Sequence, residues 1–210
     1  MSKIAEVKAM VEAGKAKLVP GLVQEALDAG NAAGDILAGM IDSMGVVGDK
    51  FSAGELFVPE MLMAAKAMSK GVDVLKPHLT GESATSLGTC VIGTVAGDLH
   101  DIGKNLVAMM LESVGFNVVD LGVDVSAEKF VDAVRENDNV KIVACSGLLT
   151  TTMPAMKETV QSLKNSGLTG FKVIVGGAPV SQAMADEIGA DGFAPDAGGA
   201  AVKAKELAHA

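Results

Sequence analysis

The chain has 210 residues, 49% of them hydrophobic, with 25 glycines and a formal net charge of −9. That is long enough to bury a core of one or two domains. With no Tyr, no Trp, six Phe and no basic run, it has neither the stacking platform nor the positive surface that nucleic acid requires.

Residues 1 to 76 read as helices. Ile4, Val7, Met10 and Val11 recur at helical spacing. Pro20 suits the first turn of a helix running to Ala29, and Gly30 can end it. Asp35 opens a third helix with Ile36, Leu37, Met40, Ile41, Met44 and Val47 on one side. Pro59 opens a fourth through Met61, Leu62, Ala65, Met68, Val72 and Leu75, and periodicity makes Met61, Met63 and Met68 core residues. Four helices with short loops predict a small antiparallel bundle. Residues 77–88 are aperiodic and rich in Pro, Gly, Ser and Thr, as a linker is.

From residue 89 to 210 the pattern alternates. Strands are predicted at 89–96, 117–122, 140–146, 171–176 and 191–194, and helices at 103–115, 126–137, 153–166, 180–189 and 197–208. Right-handed crossovers make this a doubly wound, five-stranded parallel sheet of flavodoxin-like order 2-1-3-4-5. The chain is thus α/β with an N-terminal helical bundle. Cys90 and Cys145 fall in buried strands and read as reduced core thiols. No signal pattern or membrane-length apolar run is evident, so the cytoplasm is expected.

The chemistry gathers at the strand ends. The segment Gly97-Asp98-Leu99-His100-Asp101-Ile102-Gly103 follows the first strand and opens a helix. A lone histidine is usually a hydrogen-bonded turn residue. Here, however, Asp98 lies two residues before His100, on the same side of an extended backbone. A carboxylate on one ring nitrogen fixes the tautomer and leaves the other nitrogen free for a metal. His78 and His209 stand in the linker and next to the C-terminus, so no second histidine completes a zinc site. One imidazole suffices if a macrocycle, haem or corrinoid, already holds the metal.

Ser146-Gly147-Leu148 follows Gly103 after 42 residues, and Gly176-Gly177 follows Leu148 after 27. Asp-x-His-x-x-Gly, Ser-x-Leu and Gly-Gly at these spacings resemble the cobalamin-binding region of methionine synthase and of corrinoid methyl-carrier proteins. Met44 to Phe51, Gly54 to Leu62 and Ala194-Pro195-Asp196-Ala197 extend the likeness over essentially the whole chain.

The resemblance implies that His100 is the lower axial ligand of cobalt and displaces the cofactor's benzimidazole. It implies that Asp98 hydrogen-bonds His100, and that Thr152 stands where methionine synthase has the serine of a His–Asp–Ser relay. Gly103, Ser146, Leu148, Gly176 and Gly177 would admit and line the nucleotide tail, with Asp196 and Ala197 near its end. Phe57, with Met61, would shield the upper face of the corrin from the helical cap, and the linker would be its hinge.

The cofactor implied is cobalamin or a related corrinoid, cycling between methylcob(III)amide and cob(I)amide. No substrate-activating site is evident. The implied function is therefore a methyl shuttle between a substrate:corrinoid methyltransferase and a corrinoid:tetrahydrofolate or thiol methyltransferase, kept active by a reductive activator. The methyl donor would be methanol, a methylamine or a methoxylated aromatic. A cobalamin-dependent sensor and the cobalamin subunit of an adenosylcobalamin mutase are the alternatives.

Overall fold

The computed structural model describes residues 2–78 and 87–209. It falls into two compact units, one helical and one α/β.

The helical unit begins with α1 (Lys3–Glu12), whose first turn is closed by the Ser2 hydroxyl accepting from the Ala5 N–H at 3.2 Å. Next comes α2 (Val19–Asp28), with Pro20 in its first turn and Gly30, at φ 86°, past its end. The third helix, α3 (Ala33–Ser52), starts two residues before Asp35, so that carboxylate sits in its first turn rather than at its cap. Finally, α4 (Val58–Leu75) is capped by Glu60, which accepts from the Phe57 N–H at 2.8 Å. Val7, Val11, Val19, Val23, Ile36, Met40, Met44, Met61, Met68 and Leu75 are buried. Packing is tight where α3 and α4 cross: a Cβ on Gly71 would lie 2.3 Å from the Met40 methyl. Met63 is half exposed, so the core assignment made for it from periodicity is wrong. It follows Met61 by two residues, which turns it to the far side of the helix.

Lys76–His78 form a 3-10 turn. Most of the predicted linker, residues 79–86, lies outside the described residues.

In the α/β unit the order is β1 (Thr89–Thr94), α5 (Ile102–Ser113), β2 (Asn117–Asp120), α6 (Ala127–Glu136), β3 (Val140–Ser146), α7 (Met153–Asn165), β4 (Lys172–Gly176), α8 (Gln182–Ile188), β5 (Gly192–Ala194) and α9 (Ala197–Ala208). The strands pair in parallel in the order β2-β1-β3-β4-β5. The expected topology is thus the observed one. Every residue of β1 is buried, as the middle of a sheet covered on both faces requires. Gly93 lacks a side chain because the Phe130 ring of α6 stands over it; a Cβ there would meet the ring at 2.8 Å.

Two strands, β1 and β2, end two residues earlier than predicted. After Thr94 the chain leaves β1, with a single bridge from Val95 to Val125. After Asp120 it turns at Gly122, where φ is 84°. Both departures occur at the carboxyl ends of the strands, beside the reversal of strand order between β1 and β3. Open α/β sheets bind ligands at that reversal.

Candidate functional site

Asp98 is the centre of the site. It is fully buried and accepts five hydrogen bonds. Oδ1 receives the His100 backbone N–H at 3.1 Å and His100 Nδ1 at 2.6 Å. Oδ2 receives the N–H groups of Leu148 at 2.7 Å and Leu149 at 3.2 Å, and the Thr152 hydroxyl at 3.1 Å. Burial works against the charge of this carboxylate. The bonds from Leu148, from the His100 ring and backbone, and from Leu149 outweigh it, and they hold the carboxyl well below the usual carboxylate range.

A carboxylate can only accept, so the ring proton of His100 resides on Nδ1 and Nε2 keeps its lone pair. The imidazole is half exposed. Leu99 and Ile102 flank it in sequence and are 72% and 78% exposed. Leu148 and Leu149, which hold Asp98 by their backbones, also expose their side chains. One free imidazole nitrogen among outward-facing apolar groups is the chemistry of a seat for a flat, largely apolar macrocycle. Among the described residues no group of three His, Cys, Asp or Glu is placed to hold a bare ion.

The backbone beneath His100 is braced from two sides. The Asp124 carboxylate accepts from the Gly97 N–H at 2.7 Å, and the Asp124 N–H donates to the Asp98 carbonyl at 3.0 Å. Asp124 adopts φ 54°, a left-handed conformation that aspartate tolerates better than most residues. The Thr94 hydroxyl donates to the His100 carbonyl at 2.9 Å. Sequence reasoning missed both braces. The run Leu121-Gly122-Val123-Asp124 carried a turn signal that could have found the second carboxylate.

Thr152 ends a 3-10 turn (Thr150–Thr152) and is buried. Its hydroxyl reaches Asp98, and it also lies 2.9 Å from the Leu149 carbonyl, so one proton serves two acceptors. Ser146 ends β3 and is partly buried; its carbonyl accepts from the Val95 N–H at 3.0 Å. Gly103 is the second residue of α5, and a Cβ there would stand in open space. Gly176 ends β4 and Gly177 follows it. A Cβ on Gly177, at φ 127°, would fall 1.8 Å from the Gly147 carbonyl oxygen, so two loops meet backbone to backbone there. Asp196 caps α9 by accepting from the Gly199 N–H at 2.8 Å, and Ala197 is buried behind it. The structure therefore brings Asp98, His100, Leu148 and Thr152 into one hydrogen-bonded group. Ser146, Gly176 and Gly177 stand on the neighbouring strand ends.

In the helical unit Phe57 is 66% exposed. Met61 is 1% exposed, so its side chain is not presented at the surface, whereas Met63 is. The sequence pattern could not separate the two, because both fit an apolar helix.

The B12 binding domain family matches residues 88–203, and a second B12 binding domain family matches residues 4–76. The chain is 45% identical over 203 residues to dimethylamine corrinoid protein 1 of Methanosarcina acetivorans, covering 96% of this chain and 89% of that protein. The chain belongs to the B12-binding corrinoid proteins. A crystal structure of a cobalamin-binding protein from Desulfitobacterium hafniense superposes with a TM-score of 0.84 at 33% identity, over 97% of this chain and 98% of that one. The methanol:cobalamin methyltransferase complex MtaBC of Methanosarcina barkeri contains a chain that superposes with a TM-score of 0.81 at 32% identity, over 99% of this chain and 80% of that one.

The cofactor of this corrinoid protein is a cobalamin-type corrinoid, and the residues of the site fit it. The ligand set is a single tautomer-fixed imidazole, its surroundings are apolar, and the open space over Gly103 leaves room beside α5. Among the described residues no helix is long and apolar enough to cross a membrane.

Proposed function

We propose that this chain carries a methyl group between two separate methyltransferases in the cytoplasm. The first takes it from a simple donor such as methanol, a methylamine or a methoxylated aromatic. The second delivers it to tetrahydrofolate or to a thiol such as coenzyme M. A reductive activator completes the set. The names of the relatives, which include a dimethylamine corrinoid protein and a methanol:cobalamin methyltransferase complex, support that class of donor.

The observation that carries the reading is the free Nε2 of an imidazole whose Nδ1 is tied to a buried carboxylate. When bound, the corrinoid supplies a cobalt centre that accepts and gives up a methyl group. His100 would ligate the metal through Nε2. Asp98 would hold the Nδ1 proton and so keep Nε2 basic. Were Nε2 not ligating, it would be the one ring nitrogen left open to a proton, because Nδ1 is held by Asp98. An imidazolium there would face Asp98, which its five donors hold in the charged form. Leu99, Ile102, Leu148 and Leu149 would exclude water from around the imidazole. Ser146, Gly176 and Gly177, with Gly103, would make room for the nucleotide tail, and Asp196 and Ala197 would stand at its end.

The test is methyl uptake by reduced, corrinoid-loaded protein. Each candidate donor is offered with and without its own methyltransferase. Stoichiometric uptake only in the presence of a methyltransferase supports a shuttle. Uptake of an adenosyl group instead, or specific binding to DNA, would favour a mutase subunit or a sensor.

A further inference from the structure

Among the described residues two charged side chains are buried, Asp98 and Lys104, and both lie within four residues of His100. The first is accounted for by the site. The second is not. Lys104 is the third residue of α5 and only 2% exposed. Taking an ammonium out of water is costly, and an apolar side chain of similar length would pack as well or better. A buried ion pair is therefore weak evidence for stability and needs another reason.

The reason lies in what Lys104 connects. Its ammonium donates to the carboxylate of Asp120, at the end of β2, and to Asn105 Oδ1 at 2.7 Å. The Asn105 N–H donates to the Asp101 carbonyl at 2.8 Å, and Asp101 is bonded to His100. In the other direction, Asp120 Oδ1 accepts from the Gly122 N–H at 2.9 Å. The Gly122 carbonyl accepts from the Thr94 N–H at 3.0 Å, and the Thr94 hydroxyl donates to the His100 carbonyl at 2.9 Å. The bonds close a ring that leaves from His100 and returns to it. Lys104 and Asp120 are its one ion pair, and they tie the start of α5 to the end of β2 across the segment that carries the imidazole.

We infer that Lys104 and Asp120 are a positioning pair for His100, holding its segment in the conformation that leaves Nε2 free to ligate. The inference rests on the proposed role of His100 as lower ligand. Neither residue touches the ligating nitrogen; both act through the backbone on either side of it. The pair exchanges some stability for a fixed arrangement of that segment.

The experiment uses the full chain loaded with corrinoid in the Co(II) state. The histidines carry 15N and the corrinoid natural nitrogen, so the two-line splitting in its paramagnetic resonance spectrum gives the fraction coordinated by imidazole, and corrinoid retention and apo-protein unfolding are measured alongside. The samples are wild type, Lys104→Met, Asp120→Asn and, as the uncoordinated control, His100→Ala. Asp120→Asn guards against a misfolded Lys104→Met, because Asp120 is partly exposed. Both variants should retain corrinoid and lower the coordinated-to-free ratio by roughly tenfold, the lower end of what outer partners of a ligating histidine contribute. Unfolding of the apo-protein should be little changed in Lys104→Met, which removes the buried charge, and weakened in Asp120→Asn, which leaves that charge without its counter-ion. Wild-type ratios in both variants would overturn the inference. So would opposite changes in the two, which would mean a field effect of the lone charge, and so would loss of corrinoid from both, which would make the pair a structural support. Absence of an imidazole signal in the wild type would sink the proposed role of His100 instead.

Discussion

Asp98→Asn keeps the shape of the side chain and removes its charge. Five donors converge on two carboxylate oxygens, and an amide offers one oxygen in their place. Suppose the amide oxygen stays with Leu148, Leu149 and Thr152. The NH2 then faces His100, Nδ1 becomes an acceptor, and the ring proton moves to Nε2, which loses the lone pair a metal needs. The His100 backbone N–H also loses its acceptor, at about 1–3 kcal/mol. In the opposite orientation the N–H groups of Leu148 and Leu149 are both orphaned, at about 2–6 kcal/mol together. The first orientation is favoured. The variant should therefore unfold in urea with about 1–3 kcal/mol less stability. Loaded with corrinoid, it should also lack the visible spectrum of an imidazole-coordinated metal. A variant with wild-type stability and an unaltered spectrum would refute this reasoning.

Three further outcomes follow from the same geometry. Asp98 has its carboxyl depressed in the folded protein, so its contribution to stability is complete above the ordinary carboxylate range. It is lost as pH falls from about 4, the unfolded value, through the lower folded one; urea midpoints measured against pH should fall more steeply below about pH 4 in wild type than in Asp98→Asn. Thr152→Val removes one of the five donors and keeps the volume. It should cost about 1.5–3 kcal/mol, the range for a bond to a charged group, and leave His100 coordination spectroscopically intact, while Thr152→Ser should match wild type in both. Gly177→Ala places a methyl carbon inside the Gly147 carbonyl and at a φ that alanine resists. Thermal unfolding should show a loss of about 1–3 kcal/mol or more from strain, with weaker corrinoid retention as the β3 and β4 loops part.

Much of this was legible because apolar periodicity and crossover handedness act over many residues at once. The alternation after residue 89 was enough to place the ends of β1 and β3 side by side, and with them His100 and Ser146, whereas Leu148 and Thr152 were implied by the family resemblance alone. The pair Asp98–His100 was readable because its two residues are near neighbours in an extended segment. What held Asp98 from the other side was not readable. Leu148 and Leu149 act through backbone N–H groups, which every residue except proline carries. Lys104 reads as a solvated helix residue, and only the fold shows that Asp120, sixteen positions on, comes to meet it. Asp124 braces the loop from a left-handed turn, a conformation that composition hints at without fixing. At the ends of β1 and β2, Thr94 and Asp120 keep their ladder partners Ser146 and Ile92 and use their side chains to bind the His100 segment and Gly122.

The central claim is ligation of the corrinoid metal by His100 Nε2 in place of the cofactor's own base. It can be tested by labelling the histidines of the protein with 15N, loading it with corrinoid carrying natural nitrogen, and recording the paramagnetic resonance of the Co(II) state. Two-line splitting from a single 15N, absent in His100→Ala, is the predicted result. Three-line splitting unaffected by the label would mean that benzimidazole still holds the metal, and would contradict the account.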